Sequence, residues 1–316
     1  MSYIILLVGF FLLIKGADIF VDGASNIAKK IGIPSVIVGL TIVSIGTSAP
    51  ELSVSIVSAL QGTNDLVIGN VLGSNIFNTL VVLGGTAIAA PIIFKKSTIK
   101  RDYLVNTLVA VLVYILIFGL TFGVDGEISR VDGIILVVLC IIYIITLVMA
   151  SIKNGVKEED TKNIKVLSNC IRIICGIAGI VIGGNLVVDS ATDIALSLNM
   201  SEKLVGLTIV AMGTSLPELV TSIVAALKGE KEIALGNVLG SNIFNMLLIL
   251  GASVTIKSAS VASALGVDFL FYIAITVLIG LSIFLNKRQE KKIGRVEGFI
   301  YILAYAGYMV YIIMRG

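Results

Sequence analysis

The sequence predicts an all-α integral membrane fold: ten transmembrane helices in two inverted five-helix repeats, with broken helices 2, 3, 7 and 8 forming an ion site at the midplane. Three observations carry it. Of 316 residues, 57% are hydrophobic and only 14% charged, with a mean hydropathy of +1.07. A soluble domain of this length needs far more charge to solvate its outside. The apolar residues fall in ten runs, each long enough to cross a bilayer, which takes about 20 residues. Finally, the chain overlays itself when shifted by 167 residues.

The runs cover about 2–29, 35–61, 65–90, 102–122, 130–151, 167–198, 202–228, 232–256, 265–285 and 294–314. The first lacks a basic leading segment and outruns a signal peptide's apolar stretch, so it reads as a span. The longest polar stretch, Ser151–Val166, divides the chain nearly in half, into a first repeat 1–151, a linker 152–166 and a second repeat 167–316. The chain has 23 Lys and Arg. Lys15 lies inside the first span, and Arg130, Lys203, Lys257 and Arg315 fall on one face; the others fall on the opposite face, the linker among them. The excess of positive charge marks the cytoplasmic side. The expectation is therefore a multi-pass protein of the cell membrane, with both termini outside and the linker cytoplasmic. Lys15 is expected to snorkel or to pair with Asp18, and Asp22 and Asp189 to be solvated or structural. Cys140, Cys170 and Cys175 read as small buried apolar residues, too scattered for a disulfide framework or a metal motif.

The repeat is carried by residues that apolar similarity does not favour. Ile37–Leu52 reads IVGLTIVSIGTSAPEL and Leu204–Leu219 reads LVGLTIVAMGTSLPEL, identical at 12 of 16 positions. Gly69–Asn78 and Gly236–Asn245 both read GNVLGSNIFN. Five spans per half is an odd number, so the second half enters the membrane from the other side. Inverted repeats of this kind build secondary transporters, whose sites form at the midplane between the halves.

Glu51 and Glu218 lie near the centres of the second and seventh spans. A carboxylate there costs roughly 2.5–3.5 kcal/mol on insertion scales and marks function. Each follows a proline, in Gly46–Glu51 (GTSAPE) and Gly213–Glu218 (GTSLPE). Proline lacks an N–H and clashes with the carbonyl four residues back, so the helix should open and leave carbonyls near 44–47 and 211–214 without partners. Broken backbone survives in a membrane only where it is buried or lines a cavity. In the third and eighth spans Ser74 and Asn78, like Ser241 and Asn245, are four apart and share a helix face. They are expected to complete the set with neutral oxygens; Asn70 and Asn237 share that face one turn earlier. Gly73 and Gly240 permit close helix approach or a local break. The set is carboxylate, hydroxyl, amide and carbonyl oxygen, which suits hard cations such as Na⁺ and Ca²⁺. Two glutamates carry −2, balanced by one Ca²⁺, two Na⁺ or two protons, and that suits exchange.

At these residues the sequence resembles the cation/Ca²⁺ exchanger superfamily and, within it, prokaryotic sodium/calcium exchangers. GTSAPEL, GTSLPEL and the two GNVLGSNIFN copies look like that family's alpha repeats. The resemblance implies Ca²⁺ held by Glu51, Glu218 and the carbonyls of Thr47 and Thr214. It implies Na⁺ in flanking sites made with Ser48, Ser74, Ser215, Ser241, both glutamates and the backbone near Ser44 and Ala211. Asn78 and Asn245 match positions beside the central cavity, and the first and sixth helices would slide against the other eight. The K⁺-dependent branch has Asp where this chain has Asn245, which disfavours K⁺ cotransport. The short linker leaves no room for large regulatory domains.

The resulting expectation is a secondary antiporter exchanging Na⁺ for Ca²⁺, normally extruding Ca²⁺. Ca²⁺/H⁺ exchange on the same scaffold is the alternative, and a cation channel a more distant one. With no His, imidazole metal sites, Ser-His triads and His relays are excluded; neither HExxH nor a paired Asp motif is present, so no enzyme is expected. No cofactor is expected beyond the transported Ca²⁺ and Na⁺. The lipid bilayer is the only expected partner, with no nucleic acid and no obligatory protein partner.

Overall fold

The computed structural model of the chain describes residues 2–62, 64–153, 164–198, 211–285 and 290–315. Helix α1 covers Ser2–Ile31. Helices α2, Ser35–Thr47, and α3, Ala49–Gln61, form one bent pair, with an angle of 49° at Ser48. Helix α4 runs from Asn64–Phe77 through a π-turn at Asn78–Val82 into Leu83–Ala89. Helices α5, Lys96–Phe118, α6, Arg130–Lys153, and α7, Val166–Ser197, follow. After the short turn Ala211–Gly213 comes α8, Leu216–Leu227; α9 then runs Lys231–Phe244, through a π-turn at Asn245–Ile249, into Leu250–Ile256. Helices α10, Ser263–Phe284, and α11, Arg295–Arg315, complete the chain.

Among the described residues, eight helices are long and apolar enough to cross a membrane, and up to nine if the bent pair counts as one span. The expected seventh span, 202–228, lies partly outside the described residues, as does 154–163 of the linker. The helices are layered by exposure: 94% of the apolar window of α9 is buried inside the protein, against 6% for α11. Outward side chains are apolar, among them Leu7, Leu60 and Leu303, as contact with lipid hydrocarbon requires. Cys140 is buried, but Cys170 and Cys175 are exposed on this outer surface. The expectation of three buried thiols is corrected there, because an apolar outside accepts a thiol as readily as a core does.

Two antiparallel ribbons depart from an all-helical fold. Strand β1 (Ile92–Lys95) pairs with β4 (Glu290–Ile293), and β2 (Gly126–Ile128) with β3 (Ala259–Val261). Helix α5 joins β1 to β2, and α10 joins β3 to β4, so α5 and α10 run antiparallel and are tied at both ends. These helices occupy matching places in the two halves of the sequence.

Glycine decides two of the tightest contacts. On α1 an added Cβ at Gly16 would stand 2.7 Å from the Ile180 nitrogen; on α7 one at Gly183 would stand 2.5 Å from the Leu13 nitrogen. Gly9, Gly16 and Gly23 recur every seven residues on one face and let α1 and α7 pack backbone to backbone, the close approach small residues allow in membranes. Likewise Gly236 meets the Val36 carbonyl and Gly240 meets Ser44 and the Leu40 carbonyl, seating α9 against α2. Gly240 therefore serves helix approach.

Candidate cation site

The centre of the molecule is where the α2–α3 bend faces the turn before α8. Proline dictates the local form: Pro50 and Pro217 stand in the first turns of α3 and α8, where their missing N–H is no loss. The preceding residues, Ser48 (φ −82°, ψ 11°) and Ser215 (φ −92°, ψ 5°), leave the α conformation. Two carbonyls around them are engaged. Ser48 N–H donates to the Ser44 carbonyl at 3.0 Å and the Thr47 hydroxyl to the same carbonyl at 3.3 Å, while Ser215 N–H donates to Met212 at 3.2 Å. Of the carbonyls over 44–47 and 211–214, those of Ser44 and Met212 therefore accept hydrogen bonds within the chain. Ala211 opens the second turn at the edge of the described residues.

Both glutamates are completely buried, and each is held by a serine of the opposite half. Ser48 donates to Glu218 Oε1 at 2.8 Å, and Ser215 donates to Glu51 Oε1 at 3.0 Å. Ser241 adds a longer bond to Glu218 Oε1 at 3.4 Å and accepts from Ser48 at 3.1 Å. One side chain per half positions each glutamate helix. Asn70 Nδ2 donates to the Glu51 carbonyl at 3.3 Å and to Ser55 at 2.9 Å; Asn237 Nδ2 donates to the Glu218 carbonyl at 3.4 Å and to Ser222 at 2.9 Å. Thr47 reaches across to Asn237 Oδ1 at 3.1 Å.

Several buried polar atoms have no hydrogen-bond partner among the described residues: Oε2 of Glu51 and of Glu218, the hydroxyls of Ser74 and Thr214, both amide atoms of Asn78, and Asn245 Oδ1. Unpaired buried polar atoms are costly and rare; seven of the thirteen among the described residues fall on the expected residues, the other six on Thr86, Thr192, Thr221, Asn242, Ser253 and Thr276. Asn78 and Asn245 each open a π-turn, a feature frequent at functional sites.

Sequence reasoning did not single out Asn75, Asn242, Thr79, Ser55 or Ser222. Asn245 Nδ2 donates to Asn75 Oδ1 at 2.9 Å, Asn75 Nδ2 to the Asn242 carbonyl at 3.1 Å, and Asn242 Nδ2 to Thr79 at 2.9 Å. This amide chain ties α4 to α9 behind the glutamates. Its signal was present, since Asn75 and Asn242 lie within the repeated GNVLGSNIFN. Lys15 pairs with Asp18 at 3.8 Å, as expected, while Asp22 pairs with Lys228 at 2.5 Å.

A multi-pass helical protein with two buried glutamates among neutral oxygens belongs to the class of membrane cation transporters. The profile of the Sodium/calcium exchanger protein family matches residues 1–149 and 169–314. The putative antiporter CaxA of Alkalimonas amylolytica is 38% identical over 314 residues, covering 96% of each chain. The sodium/calcium exchanger MaX1 of Methanosarcina acetivorans is 33% identical over 345 residues, covering 98% of this chain and 97% of that one. The crystal structure of the sodium-calcium exchanger NCX_Mj soaked with 2.5 mM Na⁺ and 0.1 mM Ca²⁺ superposes with a TM-score of 0.83 at 32% identity, covering 98% of this chain and 97% of that one. The protein belongs to the sodium/calcium exchanger family.

Proposed function

We propose that this transporter exchanges Na⁺ for Ca²⁺ by alternating access, normally extruding Ca²⁺. The observation that carries the reading is the pair of Oε2 atoms, one on each fully buried glutamate, left without partners among unpaired neutral oxygens. Their joint charge of −2 matches one Ca²⁺ or two Na⁺, and oxygen ligands alone suit both ions. In this reading Glu51, Glu218, Thr47 and Thr214 hold Ca²⁺. Ser48, Ser74, Ser215 and Ser241, with the backbone at Ser44 and Ala211, serve Na⁺ beside it, and Asn78 and Asn245 border the cavity. No resident cofactor takes part. The halves 1–151 and 167–316 act as inverted units joined by the linker 152–166, which faces the cytoplasm with both termini outside; the uneven distribution of Lys and Arg supports that orientation.

The test is ⁴⁵Ca²⁺ uptake into liposomes holding the purified protein. Uptake should follow an outward Na⁺ gradient and vanish without a counter-ion. Uptake indifferent to Na⁺ but driven by a pH gradient would assign the protein to Ca²⁺/H⁺ exchange, since the same two carboxylates accept two protons. Flux without any counter-ion would indicate a channel.

A further inference from the structure

Four helices enclose a small pocket beside the amide chain that ties α4 to α9. Thr79 of α4, Tyr103 and Asn106 of α5, Asn242 of α9 and Thr276 of α10 supply its polar lining, and every residue around it is neutral. The pocket offers about 10 Å³ to the centre of a water molecule, about what one water needs. Ile283 and Ile293 line both this pocket and a space of about 730 Å³ beside the β1–β4 ribbon, so the two lie next to each other.

The hydrogen bonds around the pocket leave two of its side chains incomplete. Asn242 and Thr276 are each 1% exposed. Asn242 Nδ2 donates to Thr79 at 2.9 Å, while Asn242 Oδ1 has no partner among the described residues, and neither has the Thr276 hydroxyl. The neighbouring tyrosine protons are committed elsewhere. Tyr272 donates to Asn106 Oδ1 at 3.2 Å, and Tyr103 donates to the Thr276 carbonyl at 2.5 Å. An amide oxygen can only accept, whereas a hydroxyl can donate or accept. The ligand that suits both must therefore donate to one and bond the other within the space of a single water. A cation cannot donate, and with no carboxylate in the lining its charge would be buried without compensation. An apolar molecule satisfies neither atom.

We propose that this pocket is a binding site for one ordered water, which donates to Asn242 Oδ1 and bonds the Thr276 hydroxyl. Polar cavities of this size hold such waters, whereas apolar ones stay dry. Water enters past Ile283 and Ile293 from the larger space beside the ribbon. Once bound, it extends the polar chain that begins at Asn245 beside the glutamates: Asn245 to Asn75, Asn75 to Asn242, and Asn242 through the water to Thr276. Helix α10 is thereby joined to the back of the cation site. The inference does not depend on which ions are carried.

The experiment is a crystal structure of the purified full chain at a resolution that shows ordered water, for the wild type, Thr276→Ser and Thr276→Ile. The wild type should show one peak within hydrogen-bond distance of both Asn242 Oδ1 and the Thr276 hydroxyl. Thr276→Ser keeps the hydroxyl and should keep the peak. Thr276→Ile carries a carbon from the hydroxyl position into the pocket and should lose it. A wild-type pocket without density, or one closed by a direct bond between Asn242 and Thr276, overturns the proposal, as does a peak that persists in Thr276→Ile. Wild-type crystals in which Na⁺ is replaced by Rb⁺, or Ca²⁺ by Sr²⁺, should show no anomalous signal there. Such a signal would assign the pocket to a cation and overturn the water.

Discussion

At the residue scale the glutamates and their serines form a crossed pair, each carboxylate held from the opposite half. Glu51→Gln and Glu218→Gln keep the side chain's size and its acceptor for serine while removing one charge from a site that has two. Each should reduce ⁴⁵Ca²⁺ uptake by at least about tenfold with normal membrane insertion, because a hard divalent ion then meets half the compensating charge; near-normal flux in either variant would refute the site assignment. Asn245→Asp has two effects. It adds a third carboxylate beside the glutamates, and it removes the donor to Asn75 Oδ1, leaving a buried acceptor unpaired at a cost of about 1–3 kcal/mol. The variant is expected to melt earlier and to change its Na⁺ and K⁺ dependence, measured by uptake under each gradient. Unchanged ion dependence would remove Asn245 from the site.

At the element scale the interruptions differ in kind. The α2–α3 pair bends by 49°, whereas α4 and α9 absorb theirs in single π-turns and continue. Sequence pattern marks the first kind plainly, because proline forbids a hydrogen bond. A π-turn has no such signature: it follows from how Asn78 and Asn245 pack against neighbours distant in sequence. The α1–α7 seam was equally silent, although its glycines stand in the sequence, because a seven-residue spacing does not name the helix it will face. Gly16→Leu forces a side chain where even Cβ would stand 2.7 Å from backbone. Overpacking of this sort costs about 1–3 kcal/mol. The expected result is a lower melting temperature; an unchanged one would show that the close α1–α7 approach does not hold the fold together.

At the scale of the whole molecule the two halves are tied unequally. Lys228, in the turn after α8, meets the carboxylates of Asp18 and Asp22 on α1 at 2.7 and 2.5 Å, and Glu230 accepts from Ser25 and pairs with Lys29 at 3.6 Å. At the matching place in the first half stands Gln61, which cannot make such a pair. Any motion of α1 against the rest of the protein must break this clamp. Lys228→Gln should therefore speed exchange by about two- to fivefold, in line with exposed pairs contributing about 0.2–1 kcal/mol each, and should reduce the dependence of rate on ionic strength. An unchanged rate at low salt would show that α1 does not move at this end. Ion binding to the folded protein alone should also raise its melting temperature. Ca²⁺ is expected to do so in the wild type and not in Glu51→Gln.

The sequence by itself determined the membrane class, most of the spans and the duplicated glutamates. Each of those is a local matter: hydrocarbon demands long apolar helices, and a carboxylate or a proline inside one stands out whatever surrounds it. The family profile and the superposition agree with that reading. Only the tertiary structure decided that Ser48 serves Glu218 and Ser215 serves Glu51, that an Asn75–Asn242 chain ties α4 to α9, that Gly16 and Gly183 bring α1 onto α7, and that short ribbons tie α5 to α10. Each of these contacts joins residues about 130 or more apart in the chain, and no local pattern specifies which of several equivalent polar or small side chains will meet once the helices pack.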